Sequence, residues 1–353
     1  MRNFKSLLRT VHAYSGAGLA LIFIIMGLSG ALLVFAPQIK QAAHPEVRRA
    51  NIDIYAAADR IAEKYGDRVE AIVMPFDGYS AFEVPLKGDS PVMMSADGDI
   101  VARLKPTQSL TAALVELHFH WFAGRPGKYL NGVFAVLLVL FSASGLLLWP
   151  KRGFRWSAFA PKRFDPPAMH ALHRNLGVVI APFILLTAVT AVGLGFEGEV
   201  EKALDAMGGP KPPAAPPIEG EGPVGSLSAA MHIAEDVYPD ARIVLVNPKD
   251  ADGDYHIWMQ NPGEIAAGAT RVSIAAADGT VLERSDGRKA RWSDKLMASF
   301  LPLHSGATGW PGHKIVAGLT GLLVAVLAGA GFASFWMRRL RARNKQNRAS
   351  KSK

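Results

Sequence analysis

The fold is decided by a pattern that occurs twice, first in residues 117–152, which read LHFHWFAGRPGKYLNGVFAVLLVLFSASGLLLWPKR. Residues 303–339 read LHSGATGWPGHKIVAGLTGLLVAVLAGAGFASFWMRR. Both begin with Leu-His, continue through Gly-x-Pro-Gly into an apolar run, and end on a Trp and a basic pair. A helix of about 20 apolar residues crosses the hydrocarbon core of a bilayer. The pattern therefore predicts two transmembrane helices and an internal duplication.

Two further apolar runs precede these and match each other. His12 is followed by Gly16, and His173 is followed at the same offset by Gly177. In all, four runs contain no Asp, Glu, Lys or Arg: residues 11–39, 129–150, 175–196 and 315–337. Four such runs argue against a soluble enzyme, and the first is longer than the apolar core of a signal peptide, so we expect it to be retained.

The segments between the spans also repeat. Residues 52–65 and 227–238 have helix-like apolar spacing, and short β-rich runs follow each. An Asp-Gly turn then closes each set, at Asp97-Gly98 and at Asp278-Gly279. We therefore predict a mainly α membrane protein that carries two small α+β modules between its helices.

Positively charged residues are concentrated in the N-terminus, in residues 151–174 and in residues 338–353, while the rest of the chain is net acidic. Because basic residues flank transmembrane helices on the cytoplasmic side, both termini are expected in the cytoplasm. The formal net charge of +9 is thus attributed to topology, with no nucleic-acid partner. The predicted order is cytoplasmic residues 1–11, helix 12–37, periplasmic residues 38–127, helix 128–150, cytoplasmic residues 151–169, helix 170–197, periplasmic residues 198–312, helix 313–337 and cytoplasmic residues 338–353.

Histidines lie at both ends of the predicted spans. A neutral imidazole is a good axial ligand for haem iron, and helical bundles hold cofactors between facing helices. A six-coordinate haem needs two histidines at similar depth, and His12 with His173 meet that need at the cytoplasmic surface. His118 and His304 meet it at the periplasmic surface. We therefore predict two non-covalently bound b-type haems with these four residues as axial ligands.

Several details of this assignment follow from spacing. Gly16 and Gly177, each one helical turn after its histidine, would leave room for a flat macrocycle. His120 and His313 remain alternatives to the two periplasmic-side ligands, and His170 is placed to support the cytoplasmic pair. Because the chain has no cysteine, thiolate-ligated haem and covalent attachment through C-x-x-C-H are excluded.

At these residues the chain resembles the PepSY-associated transmembrane family of bacterial inner-membrane proteins. The features that match are His-x-x-x-Gly at His12 and His173, and Leu-His followed by Pro-Gly, an apolar run and Trp at His118 and His304. The resemblance implies that the two periplasmic modules are PepSY-like. Members of the family are often iron-regulated, and some are dihaem siderophore reductases of the ferrioxamine type.

The sequence and the resemblance together lead us to expect transmembrane electron transfer that reduces a ferric siderophore in the periplasm and releases Fe(II). No Gly-x-Gly-x-x-Gly opens a helix after a strand, so the electron donor is expected to be external, either a membrane quinol or a cytoplasmic reductase. The alternative is a non-enzymatic membrane regulator whose PepSY modules bind a periplasmic peptide or protease.

Overall fold

The computed structural model describes residues 2–47, 52–75, 80–149, 153–250 and 252–351, which form two compact units. The helical unit contains the residues up to 34, residues 117–197 and the residues from 303 onward. The sheet unit contains residues 35–116 and 198–302. The basic pair Lys151-Arg152 of the predicted cytoplasmic segment lies outside the described residues.

The described residues form ten α-helices and eight β-strands. The helices are α1 (Arg2–Leu33), α2 (Ala36–Ala43), α3 (Ile54–Tyr65), α4 (Leu110–Val115), α5 (Gly124–Leu147), α6 (Pro166–Gly195), α7 (Glu197–Met207), α8 (Leu227–Val237), α9 (Trp292–Ser305) and α10 (Pro311–Lys351). The strands are β1 (Ile72–Val73), β2 (Phe82–Val84), β3 (Val92–Met94), β4 (Ile100–Arg103), β5 (Arg242–Asn247), β6 (Asp254–Gln260), β7 (Thr270–Ala275) and β8 (Val281–Ser285). One π-helical turn spans Glu116–His120.

Four of the helices, α1, α5, α6 and α10, are long and apolar enough to cross a membrane. Their most apolar windows have mean hydropathies between 2.1 and 2.3, as the four charge-free runs predict. The helix ends differ from the predicted spans. Helix α1 begins at Arg2 and stops at Leu33, and Pro37 then lies in the first turn of α2, where its missing N–H costs nothing. Helix α10 continues through the basic tail to Lys351, since Arg and Lys favour helix outside a membrane as well.

Glycines set the closest helix crossings in the helical unit. A Cβ atom on Gly27 of α1 would lie 2.5 Å from the carbonyl oxygen of Gly321 on α10. A Cβ atom on Gly195 at the end of α6 would lie 2.5 Å from the Cα atom of Gly132 on α5. Small residues at such crossings let helix backbones approach, which is how membrane helices gain packing without a hydrophobic driving force. Phe23, Leu176 and Val324 belong to one buried apolar cluster in this unit.

The sheet unit is built on a single antiparallel sheet of eight strands in the order β4-β3-β2-β1-β5-β6-β7-β8. Strands β1 to β4 come from the first predicted module and strands β5 to β8 from the second. The two sets join where β1 pairs with β5, with Ile72 opposite Val246. The two Asp-Gly turns form as predicted, with positive φ angles of 74° at Gly98 and 77° at Gly279, a conformation that glycine adopts at no steric cost.

Helices α3 and α8 supply the core of the sheet unit. Ile61 of α3 and Met231 of α8 are fully buried in one apolar cluster with residues from both halves of the sheet, among them Phe82 and Ile257. Each helix begins at a side-chain cap, Asp53 for α3 and Ser226 for α8, whose oxygens accept backbone N–H groups of the first turn. Each half of the sheet unit is therefore one capped helix followed by four antiparallel strands.

Candidate cofactor site

The helical unit brings the predicted histidine partners together in two pairs. In the first pair, His12 of α1 and His173 of α6 have ring centroids 6.2 Å apart and ring planes 73° apart. In the second pair, His118 of the π-helical turn and His304 of α9 also have ring centroids 6.2 Å apart, with planes 52° apart. The structure thus brings the rings of His118 and His304 close together.

The spacing of both pairs suits a shared metal ion. A metal–imidazole bond is about 2.0 Å long and the bonding nitrogen lies about 1.1 Å from its ring centre, so two imidazoles on opposite sides of one iron have ring centres about 6.2 Å apart. Within the part of the chain that the structure describes, no group of three or more His, Asp or Glu side chains could hold a metal ion. Each pair could therefore hold a metal ion only as two opposed ligands, with the remaining coordination positions filled by a bound group.

Hydrogen bonds fix the tautomer of both rings in the first pair. Nδ1 of His173 lies 2.8 Å from the carbonyl oxygen of Leu327, which only accepts, so Nδ1 must carry the proton. Nδ1 of His12 lies 2.8 Å from Oγ of Ser144, whose own proton goes to the carbonyl oxygen of Phe141. The serine oxygen therefore accepts from His12. In both rings the Nε2 lone pair is left without a hydrogen-bond partner among the described residues, and a lone pair there is what a metal requires.

The second pair is held in the same way. Nδ1 of His304 donates to the carbonyl oxygen of Thr187 at 3.0 Å and lies 3.2 Å from Oγ1 of Thr190. Nδ1 of His118 lies 2.9 Å from Oγ of Ser29, whose proton goes to the carbonyl oxygen of Met26. These bonds again leave Nε2 as the atom with a lone pair to offer.

Helices α1 and α6 each serve both pairs. Ser29 follows His12 by 17 residues on α1, and Thr190 follows His173 by 17 residues on α6. With a rise of 1.5 Å per residue, the two pairs are separated by about 25 Å along the helices, close to the roughly 30 Å of a hydrocarbon core. The equal offsets place one pair near each end of the helical unit.

A cavity of about 800 Å³ opens beside the first pair, within the size range of cofactor pockets. Both histidines line it, and so do Gly16 and Gly177, as the sequence predicts for a site that admits a flat ring. Gly331 of α10 also lines it, and a Cβ atom there would come within 2.8 Å of Nδ1 of His173. Glycine is required at that position to keep the imidazole in place.

Strained backbone surrounds His118. The π-helical turn that carries it is followed by Trp121 and Phe122, which have positive φ angles of 50° and 57°. Such conformations cost about 1–3 kcal/mol each in non-glycine residues and, like π-helical turns, collect at functional sites. Nδ2 of Asn131 donates to the carbonyl oxygen of His118 at 2.7 Å, and a Cβ atom on Gly30 would lie 2.8 Å from its Cε1 atom.

The other candidate histidines stand outside the pairs. Nδ1 of His313 lies 3.0 Å from Oγ1 of Thr308, and the ring of His120 is next to that of Phe119. His170 lines the cavity of the first pair.

Sequence reasoning missed the groups that form hydrogen bonds with each Nδ1. Polar residues inside apolar spans, such as Ser29 and Thr190, were the available signal, whereas a backbone carbonyl leaves no trace in a sequence.

Four helices of membrane-spanning length and a separate antiparallel sheet define a multi-pass membrane protein. The chain belongs to the family described as the PepSY-associated TM region, whose model matches residues 9–339 and so includes both histidine pairs. A similar protein is an uncharacterised protein of Pseudomonas aeruginosa, 30% identical over 234 residues. The matched region covers 62% of this chain and 59% of that protein, so the chain spans less than two thirds of the relative's length.

Proposed function

We propose that this protein is a dihaem electron-transfer protein of the bacterial inner membrane that reduces ferric siderophores on the periplasmic side. The proposal rests on one observation, which is made at both histidine pairs. In each pair the ring centroids lie 6.2 Å apart, and the Nδ1 atoms of both rings are held by hydrogen bonds. When bound, two b-type haems would supply one-electron redox chemistry near the two membrane surfaces.

The chain's own residues would position these groups. His12 and His173 would hold one haem and His118 and His304 the other, through Nε2 in every case. The hydroxyl and carbonyl oxygens at Nδ1 fix ring orientation and make each imidazole a stronger ligand, as partners of metal-bound histidines generally do. All four proposed axial ligands are histidines, so neither haem needs a cysteine ligand, and this chain has no cysteine.

The sides of the membrane on which the two pairs would lie follow from the charge distribution. Basic residues at the N-terminus and in the tail favour cytoplasmic termini, which puts the first pair on the cytoplasmic side and the second pair on the periplasmic side. On this topology the sheet unit is periplasmic. We interpret its two halves as PepSY-like modules and the whole chain as an internal duplication, because both halves repeat the order of a capped helix and four strands.

The chemistry of the substrate suits such a protein. A siderophore holds Fe(III) through hard oxygen donors, and Fe(II) binds to the same donors more weakly. Transfer of one electron to each ferric chelate therefore releases Fe(II) and leaves the bonds of the chelator intact. The electron would come from a membrane quinol or a cytoplasmic reductase.

The test is anaerobic reoxidation of the reduced protein. The purified full-length protein, reduced with dithionite in detergent, is mixed with a ferric hydroxamate siderophore and a ferrous trap in a stopped-flow instrument. The haem bands should return to the oxidised spectrum as trapped Fe(II) appears in equal amount. A haem-containing protein that no ferric chelate reoxidises would contradict the reductase function. A folded, colourless protein would favour the regulator that binds a peptide or protease.

A further inference from the structure

The cavity beside the first histidine pair is positively charged. Four arginines line it, Arg9, Arg174, Arg338 and Arg339, and its described lining contains no Asp or Glu. Most of the remaining lining is apolar, with Phe141 and Leu327 among its members. A flat apolar ligand with an anionic edge matches this distribution of side chains.

Uncharged neighbours hold three of these arginines in place. Arg174 donates to the carbonyl oxygen of Gly153 at 2.7 Å, and Arg338 donates to Oγ of Ser334 at 2.6 Å. The guanidinium of Arg339 lies 4.8 Å from the ring centre of Tyr14, a distance typical of a cation–π contact. None of the four lining arginines forms a salt bridge within the described residues.

One of these guanidinium groups has unused hydrogen-bonding capacity inside the protein. Nε of Arg174 is buried and has no hydrogen-bond partner in the described structure. A buried donor of this kind costs free energy until an acceptor reaches it. Arg9 precedes His12 by three residues and Arg338 follows Gly331 by seven, so the cations lie one to two helical turns from the first pair.

We propose that these arginines bind the two propionate carboxylates of the haem held by His12 and His173. The inference rests on the proposed function and extends it, because it assigns an orientation to that haem. Carboxylates and arginines form short, charge-assisted and often bidentate hydrogen bonds, so the cluster would act as a positioning group for the macrocycle. The propionate edge would face the arginine-bearing end of α10 and the apolar edge would face the interior of the helical unit.

The experiment compares haem with its dimethyl ester, which lacks both carboxylate charges. Full-length protein carrying His118→Ala, which leaves only the first pair, is produced in cells that cannot make haem and is titrated with each form. We expect the free acid to bind at least about tenfold more tightly than the ester, since a charge-assisted hydrogen bond contributes about 1.5–3 kcal/mol. In the R338Q/R339Q double variant, which removes two of the four guanidinium groups, this preference should fall by at least about threefold, through weaker binding of the free acid alone.

A matched control and a second readout make the outcome decisive. Arg341→Gln removes a charge from the same helix at a position that does not line the cavity, and it should keep the preference. In the otherwise unmodified holoprotein, R338Q/R339Q should lower the midpoint potential of the first haem, because removing nearby positive charge disfavours the added electron. The R338K/R339K variant, which keeps both positive charges, should have a midpoint potential for the first haem close to that of the unmodified protein.

The results separate two kinds of failure. If the His118→Ala protein binds neither form of haem, the proposed function is wrong. If it binds both forms with equal affinity, or if the double variant keeps both the preference and the potential, haem ligation stands and the arginine assignment is overturned. Loss of anionic phospholipid binding in the double variant, with the ester preference intact, would assign the cluster to lipid headgroups and would also overturn it.

Discussion

The two histidine pairs have the same ring spacing and the same pattern of anchored Nδ1 atoms, but they are mounted differently. His12 and His173 lie within the long helices α1 and α6. His118 and His304 lie outside the four long helices, on a π-helical turn and near the end of α9. The first pair is thus positioned by continuous helices, whereas the second depends on connecting segments, and the one that carries His118 is followed by two residues with strained backbone, Trp121 and Phe122. One geometry can therefore be built on two kinds of support.

Each helix that carries a histidine of the first pair also accepts a hydrogen bond from a histidine of the second pair. Helix α1 carries His12 and accepts the hydrogen bond of His118, and α6 carries His173 and accepts that of His304. A change in the spacing of α1 and α6 should therefore be felt at both ends of the helical unit. Substitutions at single positions separate the pairs, and the following predictions use them in order of expected effect.

Loss of a ligand should have the largest effect. His118→Ala and His304→Ala should each remove the same haem and abolish reduction of a periplasmic ferric chelate, while the other haem stays reducible. The measurement is haem content by pyridine haemochrome together with the stopped-flow assay. His120→Ala and His313→Ala serve as controls that should keep both haems. Loss of the haem in His313→Ala with retention in His304→Ala would contradict the ligand assignment.

The first pair should behave as a separate unit. His12→Ala and His173→Ala should each leave about half of the bound haem, since a six-coordinate iron needs both ligands. The double variant should lose no more than either single variant, because both residues would serve one iron. Full haem retention in His12→Ala would contradict the pairing, and the comparison with His170→Ala tests whether the neighbouring histidine has replaced His173.

Glycine substitutions should show how tightly each imidazole is confined. Gly331→Ala would place a methyl group 2.8 Å from the ring of His173, and Gly30→Ala would place one 2.8 Å from the ring of His118. Overpacking of this kind costs about 1–3 kcal/mol, so the haem of the affected pair should bind roughly tenfold to a hundredfold more weakly. Haem transfer to apomyoglobin measures the loss for each pair.

The controls are glycines in the same helices. At Gly329 of α10 and Gly18 of α1, an added Cβ atom would meet no other side chain or neighbouring backbone within 4 Å, so alanine fits there. Gly329→Ala and Gly18→Ala should leave both haems in place. Equal weakening in all four variants would mean that the effect comes from helix packing and not from the histidine rings.

The anchors should have the smallest effect. Ser144→Ala and Ser29→Ala remove the hydroxyl acceptors of His12 and His118, and each should weaken binding of its own haem by about tenfold, as loss of such partners generally does. Ser15→Ala is the matched control, since the hydroxyl of Ser15 donates to a carbonyl oxygen of its own helix and contacts neither histidine pair. Unchanged haem affinity in both variants would show that these hydrogen bonds do not tune the ligands.

Much of the fold could be predicted because a membrane-spanning helix requires a run of about 20 apolar residues, which is visible in the sequence. Four charge-free runs locate α1, α5, α6 and α10, and the repeat offset pairs His12 with His173. The same repeat pairs His118 with His304, but it left His313 as an alternative because the position of His304 depends on α9. Pro302 lies inside that helix. Because proline normally ends a helix, the sequence pattern does not predict one there.

The details of the candidate site were less accessible for physical reasons. Which face of an apolar helix turns inward depends on packing, so Ser29 and Ser144 could not be assigned to particular histidines. The π-helical turn at His118 arises from an extra residue in a helical turn, and no residue pattern encodes it. The cluster of Arg9, Arg174 and Arg339 joins three helices that are distant in sequence, and in the sequence these charges indicate only membrane topology.

The central claim is that each histidine pair holds one haem, and the haem content of the purified protein tests it most directly. The full-length protein in detergent is assayed by pyridine haemochrome against protein concentration, with electron paramagnetic resonance to report the ligands. The account predicts two b-type haems per chain, both low-spin with two histidine ligands. A folded protein that contains no haem, or one whose haems are high-spin and five-coordinate, would contradict it.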